Sequence, residues 1–321
     1  MIVATLDAAS LGRVRLAPSP AFEALSWLKL AAGRRRHPVF GDPGASARFA
    51  LRDPDVALLA ALVPSGAVGY MPDLLTPKPP PGPPALTFMS QLEVMCETPD
   101  SRVAEEVTER FESGDQPQTV RQAMETGRLA PRAACGLLRF WKNVVADRWS
   151  AIRTALDADV SRRSATMSTQ GVGAVVGSLH PKIHWDGATL RVEKPCEQSL
   201  DCVDTELVLV PSAFAQHGPF TQLGRAEDAV LYYPADGIGA AATSASAPSL
   251  AKLVGGTRAR LLNDLDVPRS TAELSVRHDV APATVSYHLS VLLGSGLVVR
   301  TRERRVVLYR RSDHARALLG A

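Results

Sequence analysis

Cysteine is scarce. Four occur in 321 residues, Cys96, Cys135, Cys196 and Cys202, scattered without a disulfide framework, and they read as ordinary reduced thiols. No run of about eighteen apolar residues is present, so no membrane span is expected. Met1 to Pro20 holds no basic region followed by an apolar block, which argues against a secretory leader and for a cytoplasmic protein. Also missing is a Gly-x-Ser-x-Gly nucleophile turn. Asp100-Ser101 and the scattered histidines define no triad, and there is no internal repeat. Gly171-Val172-Gly173-Ala174-Val175-Val176-Gly177 is similar to a phosphate-binding glycine loop, but its last glycine falls one place late and no convincing strand precedes it. No catalytic residue, cofactor or metal is expected, and an enzyme is not the reading.

What is present is enough apolar sequence, 45%, to bury a core, in a chain long enough for two or three domains. Net charge is only +3, but it is uneven. Ala251 to Ala321 holds twelve Lys and Arg against six Asp and Glu, a net of +6, leaving −3 on the remainder. A small basic part on a slightly acidic body is the footprint of a polyanion partner.

Along the body, Ile2 to Leu16 alternates weakly, as a short hairpin would. Ser19 caps a helix over Pro20 to Ala32, and a second helix covers Asp53 to Leu62. Thr76 to Pro84 is too proline-rich for regular structure and reads as a stiff, extended connector. Val103, Val107 and Phe111 mark a helix over Ser101 to Glu112. One long helix, Arg132 to Asp159, carries Leu137, Trp141, Val144, Val145, Trp149, Ile152 and Leu156 on a single stripe. From His180 the period shortens. Ile183 to Trp185 and Thr189 to Val192, joined by Asp186-Gly187, read as a β-hairpin, with strands at Leu207 to Val210 and Ala229 to Tyr233. His180, His184, Cys196 and Cys202 have loose spacing for zinc, and strand and loop residues without metal explain them better. Trp141, Trp149, Trp185, Tyr232 and Tyr233 line a pocket or fill the core; the two on the long helix read as core.

The most legible stretch is Leu250 to Ala321, after a small, polar linker at 241–249. Leu250, Leu253, Val254, Leu261, Leu262 and Leu265 form one face of an approach helix, broken near Gly255-Gly256. Ser270-Thr271-Ala272-Glu273 is a capping box opening a helix to about His278. After a turn, Pro282 starts the next helix. Val285, Leu289 and Leu292 point inward by their spacing. The opposite face carries Ala283, Ser286, Tyr287 and Ser290, with Thr284 on the flank: short or hydrogen-bonding side chains without an acid, suited to a major groove. His288, at the edge, is structural or a phosphate contact. A basic wing over Val299 to Arg311 follows, where Arg300, Arg302, Arg304 and Arg305 suit the DNA backbone or minor groove.

Gly256-Thr257-Arg258-Ala259-Arg260-Leu261-Leu262, Ser270-Thr271-Ala272-Glu273-Leu274, Thr284-Val285-Ser286-Tyr287-His288-Leu289, Gly296-Leu297-Val298 and Leu308-Tyr309-Arg310 together resemble the ArsR-type winged-helix regulators. Leu179-His180-Pro181, Trp185 to Val192 and Leu209 to Phe214 resemble, more loosely, a domain found ahead of such modules in some high-GC bacteria. Four departures stand out. His278-Asp279 occupies a turn that normally holds an apolar residue and glycine. Ala281 replaces a serine cap, a loss of about 1 kcal/mol. Arg304 sits where the wing turn has glycine, which implies a longer or strained wing. The module holds no cysteine, which excludes the family's thiolate metal site on the helix before the turn, and His314 alone is a poor second site.

The expected architecture is mixed α+β and mainly helical. A helical body, 1–240, with a small β region at about 178–235, senses or dimerises; a winged helix-turn-helix, 250–321, binds DNA and ends in a helix at Asp313 to Leu319. The leading reading is a homodimeric regulator on double-stranded DNA, a repressor by the family resemblance; the body dimerises, binds a small-molecule effector, or both, and no membrane is expected. Two alternatives stay open: a winged helix that docks on protein, and a DNA-binding module fused to an enzyme.

Overall fold

Ser19 starts the first long helix as its composition dictates. Its hydroxyl accepts the Phe22 N–H at 3.2 Å, and Pro20 occupies the first turn. The structure, a computed structural model, describes residues 1–66, 69–83, 85–112, 114–215, 218–238, 254–265, 268–278, 280–303 and 306–315. It divides into two compact units, Met1–Asp236 and Gly237–Ala321. The expected linker at 241–249 lies outside the described residues.

In the first unit, helices α1 (Ala8–Gly12), α2 (Pro20–Ala32), α3 (Gly44–Ala50), α4 (Pro54–Leu62), α5 (Thr87–Cys96), α6 (Asp100–Arg110), α7 (Gln118–Glu125) and α8 (Leu129–Phe140) precede the longest, α9 (Ala146–Gln170), and the short α10 (Val172–Ser178). Leu25, Leu28, Leu58, Leu59, Met95, Leu137 and Phe140 fill the helical core. Helices α4 and α8 approach so closely that a Cβ on Gly136 would lie 2.3 Å from the Asp55 carbonyl oxygen.

Three expectations need correction. The single helix over Arg132 to Asp159 is α8 and α9 joined by a π-helical turn, Trp141–Val145. The apolar stripe runs through that turn, so its spacing gave no sign of the extra residue. The helix expected over Ser101 to Glu112 ends at Arg110, with Phe111 beyond it. As expected, the described part of the Thr76 to Pro84 segment, 76–83, forms no helix or strand, and Thr76, Pro77 and Pro79 are buried. Proline brings no N–H that burial would leave unpaired. The segment's carbonyls are satisfied from afar, at Thr76 by the Tyr232 hydroxyl (3.1 Å), at Pro77 by Gln91 (2.6 Å) and at Pro79 by Arg15.

The third correction is the hairpin over Ile2 to Leu16. β1 (Ile2–Leu6) and β2 (Arg15–Leu16), separated by α1, belong to different sheets. With β3 (Ile183–Trp185), β4 (Thr189–Val192), β5 (Gln198–Cys202), β6 (Val208–Ser212), β7 (Phe220–Gln222) and β8 (Val230–Pro234), they make two four-stranded sheets, ordered β3-β4-β1-β5 and β2-β6-β8-β7. β1 runs antiparallel to β4 and parallel to β5; β6 runs parallel to β2 and β8. The N-terminal strands therefore complete a β region expected only at about 178–235. β6 and β8 are covered on both faces. Leu209, Leu231 and Tyr233 pack with Val175 and Val176, whereas Val208, Val210, Val230 and Tyr232 pack on Phe22. This explains their unbroken apolar runs.

The second unit holds α11 (Gly256–Asp264), β9 (Arg269–Ser270), α12 (Thr271–His278), α13 (Pro282–Gly294), β10 (Val298–Glu303) and β11 (Val306–Arg311). Its own core is Leu261, Leu262, Leu265, Leu274, Val285, Leu289, Leu292 and Val298. The fold class is thus mixed α+β: a mainly helical body with embedded sheets, then a helical region with one small sheet in a winged arrangement.

Candidate nucleic-acid interface

Gly255 takes φ +88° and caps α11, the break expected at Gly255-Gly256. Leu250 and Leu253 lie outside the described residues. The far end of α11 is closed by Arg311, whose Nε donates to the Leu262 carbonyl at 2.7 Å and whose Nη2 donates to that of Asn263. One arginine of the basic hairpin thus serves the fold, because the last carbonyls of a helix lack partners of their own.

The capping box forms as read. Ser270 Oγ accepts the Glu273 N–H at 3.2 Å, and Glu273 Oε2 accepts the Ser270 N–H at 2.7 Å. The Ser270 N–H and the Ser270 hydroxyl, which donates to the same Oε2 at 3.0 Å, hold the Glu273 carboxyl below its ordinary value. Ser270 also lies opposite Leu308 in the sheet, so the cap and the wing share a residue. The other end of α12 is clamped from α11. Asp264 accepts two bonds from Arg277, at 2.6 and 2.9 Å, lies 3.0 Å from His278 Nε2, and pairs with Arg269 at 3.3 Å. The bond from Arg277, above all, lowers its carboxyl from the ordinary value. His278 of the atypical turn is therefore anchored; Asp279 lies outside the described residues.

Beyond the turn, Ala281 offers no side-chain cap and Pro282 opens α13, both as expected. Val285 and Leu289 are fully buried and Leu292 nearly so. Ala283, Thr284, Ser286, Tyr287 and Ser290 are all exposed, with Tyr287 at 62%. Ser290 donates to the Ser286 carbonyl at 2.9 Å, which fixes its hydroxyl on the outer face. His288 is half-buried, packed edge-on to Tyr287, and its Nδ1 is buried with no partner among the described residues.

The wing is an antiparallel pair in register from Val298↔Arg311 to Glu303↔Val306, with β9 on the outer side of β11. Arg300 and Arg302, two apart, share one face; both are exposed, and among the described residues neither meets a carboxylate. Arg304 and Arg305 lie outside the described residues. So do 316–321, beyond the three helical residues that open the expected terminal helix at Asp313.

Two helices joined by a tight turn, the second with a buried stripe and an open short-chain face, are now in view. Residues 256–301 match the family model for the helix-turn-helix domain. No curated protein and no solved structure matches the chain. The helix-turn-helix match supports a DNA-binding, regulatory role in general, and the module is a non-catalytic one. It ends within β10, so β11 and most of the wing lie past it.

The other candidate residues are not brought together. His184 bonds Glu193 at 2.9 Å, His180 Nδ1 accepts the Lys182 N–H at 3.1 Å, Cys202 is buried in the core and Cys196 is exposed. Among the described residues no group of three or more His, Cys, Asp or Glu is placed to hold a metal ion. Gly171 joins two helices, not a strand and a helix, and Gly173 makes room for the Trp185 indole, which an added Cβ would meet at 2.8 Å. Tyr232 and Tyr233 are fully buried; Trp141 stacks on Phe88 at 4.3 Å and meets Trp149 edge-on at 5.1 Å. Among the described residues no helix is long and apolar enough to cross a membrane.

The sequence reading missed Asp264. Its signal was faint: one of few acids in a basic segment, thirteen positions from the Arg277 it holds.

Proposed function

We propose that the chain is a sequence-specific transcriptional regulator of the ArsR type that binds double-stranded DNA as a cytoplasmic homodimer and acts as a repressor. Ala283, Thr284, Ser286, Tyr287 and Ser290 of α13 read the major groove. Arg300, Arg302, Arg304 and Arg305 hold the backbone or minor groove. Two subunits set half-sites about 10 base pairs apart or a multiple of that. The body, 1–240, dimerises or takes a small-molecule effector, and 241–249 links it to the module at 250–321.

One observation carries the reading: α13 buries its apolar stripe in its own unit and leaves outward a face with no acid, ahead of a strand whose Arg300 and Arg302 meet no carboxylate among the described residues. An acid-free face with free arginines nearby is what a polyphosphate surface demands.

The test is selection of binding sites from random duplex DNA by the purified chain, followed by titration of two variants. Tyr287→Ala keeps affinity for random DNA and loses discrimination among sites. Arg302→Ala weakens binding to every sequence and lowers the slope of log affinity against log salt by about 1. Selection without enrichment, or an unchanged salt slope, refutes the assignment; salt-independent binding would favour docking on a protein, for which Val276, 85% exposed on α12, is a ready contact.

A further inference from the structure

The body carries a side chain that its fold does not use. α3 turns Ala47 and Ala50 into the core and leaves Phe49 69% exposed. Phe49 borders a surface cavity of about 670 Å³, together with Arg52, Asp53 and Asn143. That volume falls in the range of small-molecule sites, roughly 300–1,000 Å³. Asn143 lies in the π-helical turn, a feature often found where a helix is shaped for a ligand.

The polar groups around the cavity are unequal. Asp53 is saturated: its carboxylate accepts the N–H groups of Asp55 (2.9 Å) and Val56 (3.3 Å) and pairs with Arg139 at 2.8 Å. It has little left for a cation. Arg52 is exposed, lies 5.6 Å from the Phe49 ring centre, and meets no carboxylate among the described residues. The exposed Asn143 amide makes no hydrogen bond among them. An exposed ring with the Arg52 guanidinium over it and an exposed amide thus border one cavity, and the one acid among its described lining residues, Asp53, is already paired.

We infer that this cavity binds a small planar aromatic carboxylate. Its ring packs on Phe49, its anion pairs with Arg52, and Asn143 hydrogen-bonds to its edge. A cationic ligand finds no free acid, and a purely apolar one leaves the guanidinium unanswered. That such a ligand is the effector rests on the regulator reading above; that it binds here does not.

The experiment titrates the full chain, without DNA, with 2-naphthoate and with its neutral counterpart 2-naphthamide, by calorimetry. Saturable 1:1 binding of naphthoate is expected, with naphthamide weaker by about tenfold or more, the weight of a charge-assisted bond. Arg52→Gln abolishes that preference, and Phe49→Ala weakens both probes by a similar factor. Both side chains are exposed, so both variants keep the fold. Absent binding, or binding equal in wild type and both variants, overturns the site. So does a dimer that Phe49→Ala dissociates without any naphthoate binding, which would make this face a contact between copies. A separate titration of DNA with and without naphthoate reads the effector role: unchanged DNA affinity with intact ligand binding removes that role and leaves the site standing.

Discussion

Glu23 lies fully buried on α2, against the end of β6. Its Oε2 accepts the Ala213 N–H at 3.1 Å, and its Oε1 has no partner among the described residues. Burial pushes the carboxyl from 4.5 up to about 8, against the opposing pull of the Ser212 hydroxyl and the Ala213 N–H. The folded body therefore keeps a proton that the unfolded chain releases. Between pH 4.5 and about 8 the folded state binds the extra proton, so stability is full below the lower value and falls as pH rises through the window. The slope is about 1.4 kcal/mol per pH unit, which makes the group's cost at pH 7 about 3 kcal/mol. Glu23→Gln keeps the shape and an acceptor for Ala213 while removing the titration. The variant should be more stable than wild type at pH 7 by up to about 3 kcal/mol, with a difference near zero at pH 4.5 that grows toward pH 8. All four tryptophans lie in the body, so their fluorescence in urea titrations from pH 5 to 9 reports that unit alone. A stability difference that does not change with pH would show that Glu23 is not the buried acid described here.

Three more perturbations probe the packing. Gly136→Ala places a Cβ 2.3 Å from the Asp55 oxygen, an atom of the backbone that cannot swing aside, so α4 and α8 must part. The loss, about 1–3 kcal/mol despite alanine's better helix propensity, is read from the same fluorescence titrations. Asp264→Asn removes the charge that holds Arg277 and His278; calorimetric melting of the 237–321 unit should shift down while the body's transition stays put. Leu289→Ala empties a fully buried position and should cost about 2–5 kcal/mol, seen as loss of helical circular dichroism in that unit at lower urea.

The winged unit was legible because its signals are local. The capping box spans four residues, Pro282 marks a helix start, and the spacing of Val285, Leu289 and Leu292 decides which face is left for Tyr287. β6 and β8 were legible for a similar reason, since burial on both faces writes itself as an apolar run. What remained hidden depends on partners far along the chain. The proline segment is buried because Arg15, Gln91 and Tyr232 reach its carbonyls, and none of them is adjacent to it. Ile2 to Leu6 alternates too weakly to announce that it pairs with residues 189–202. The cavity at Phe49 escaped notice because its walls, α3 and the π-helical turn, lie about ninety residues apart.

The position of β1 has a consequence for the order in which the body assembles. It is an inner strand, hydrogen-bonded to β4 on one side and β5 on the other, so Ile2 faces Val192 and Gln198. During synthesis it waits, with both edges bare, while the helices from Pro20 to Ser178 emerge and pack. The sheet closes only once residue 202 has left the ribosome, over a separation of about 190 residues. Loop closure over that span grows costlier only slowly with length, but contacts so remote make folding slow. The core of the winged unit, drawn among its described residues from a span of about sixty, needs no such delay. The helical core is therefore expected to form first in the body and its sheets last. In a growing chain the exposed edges of β1 are the place where pairing with a neighbouring copy begins.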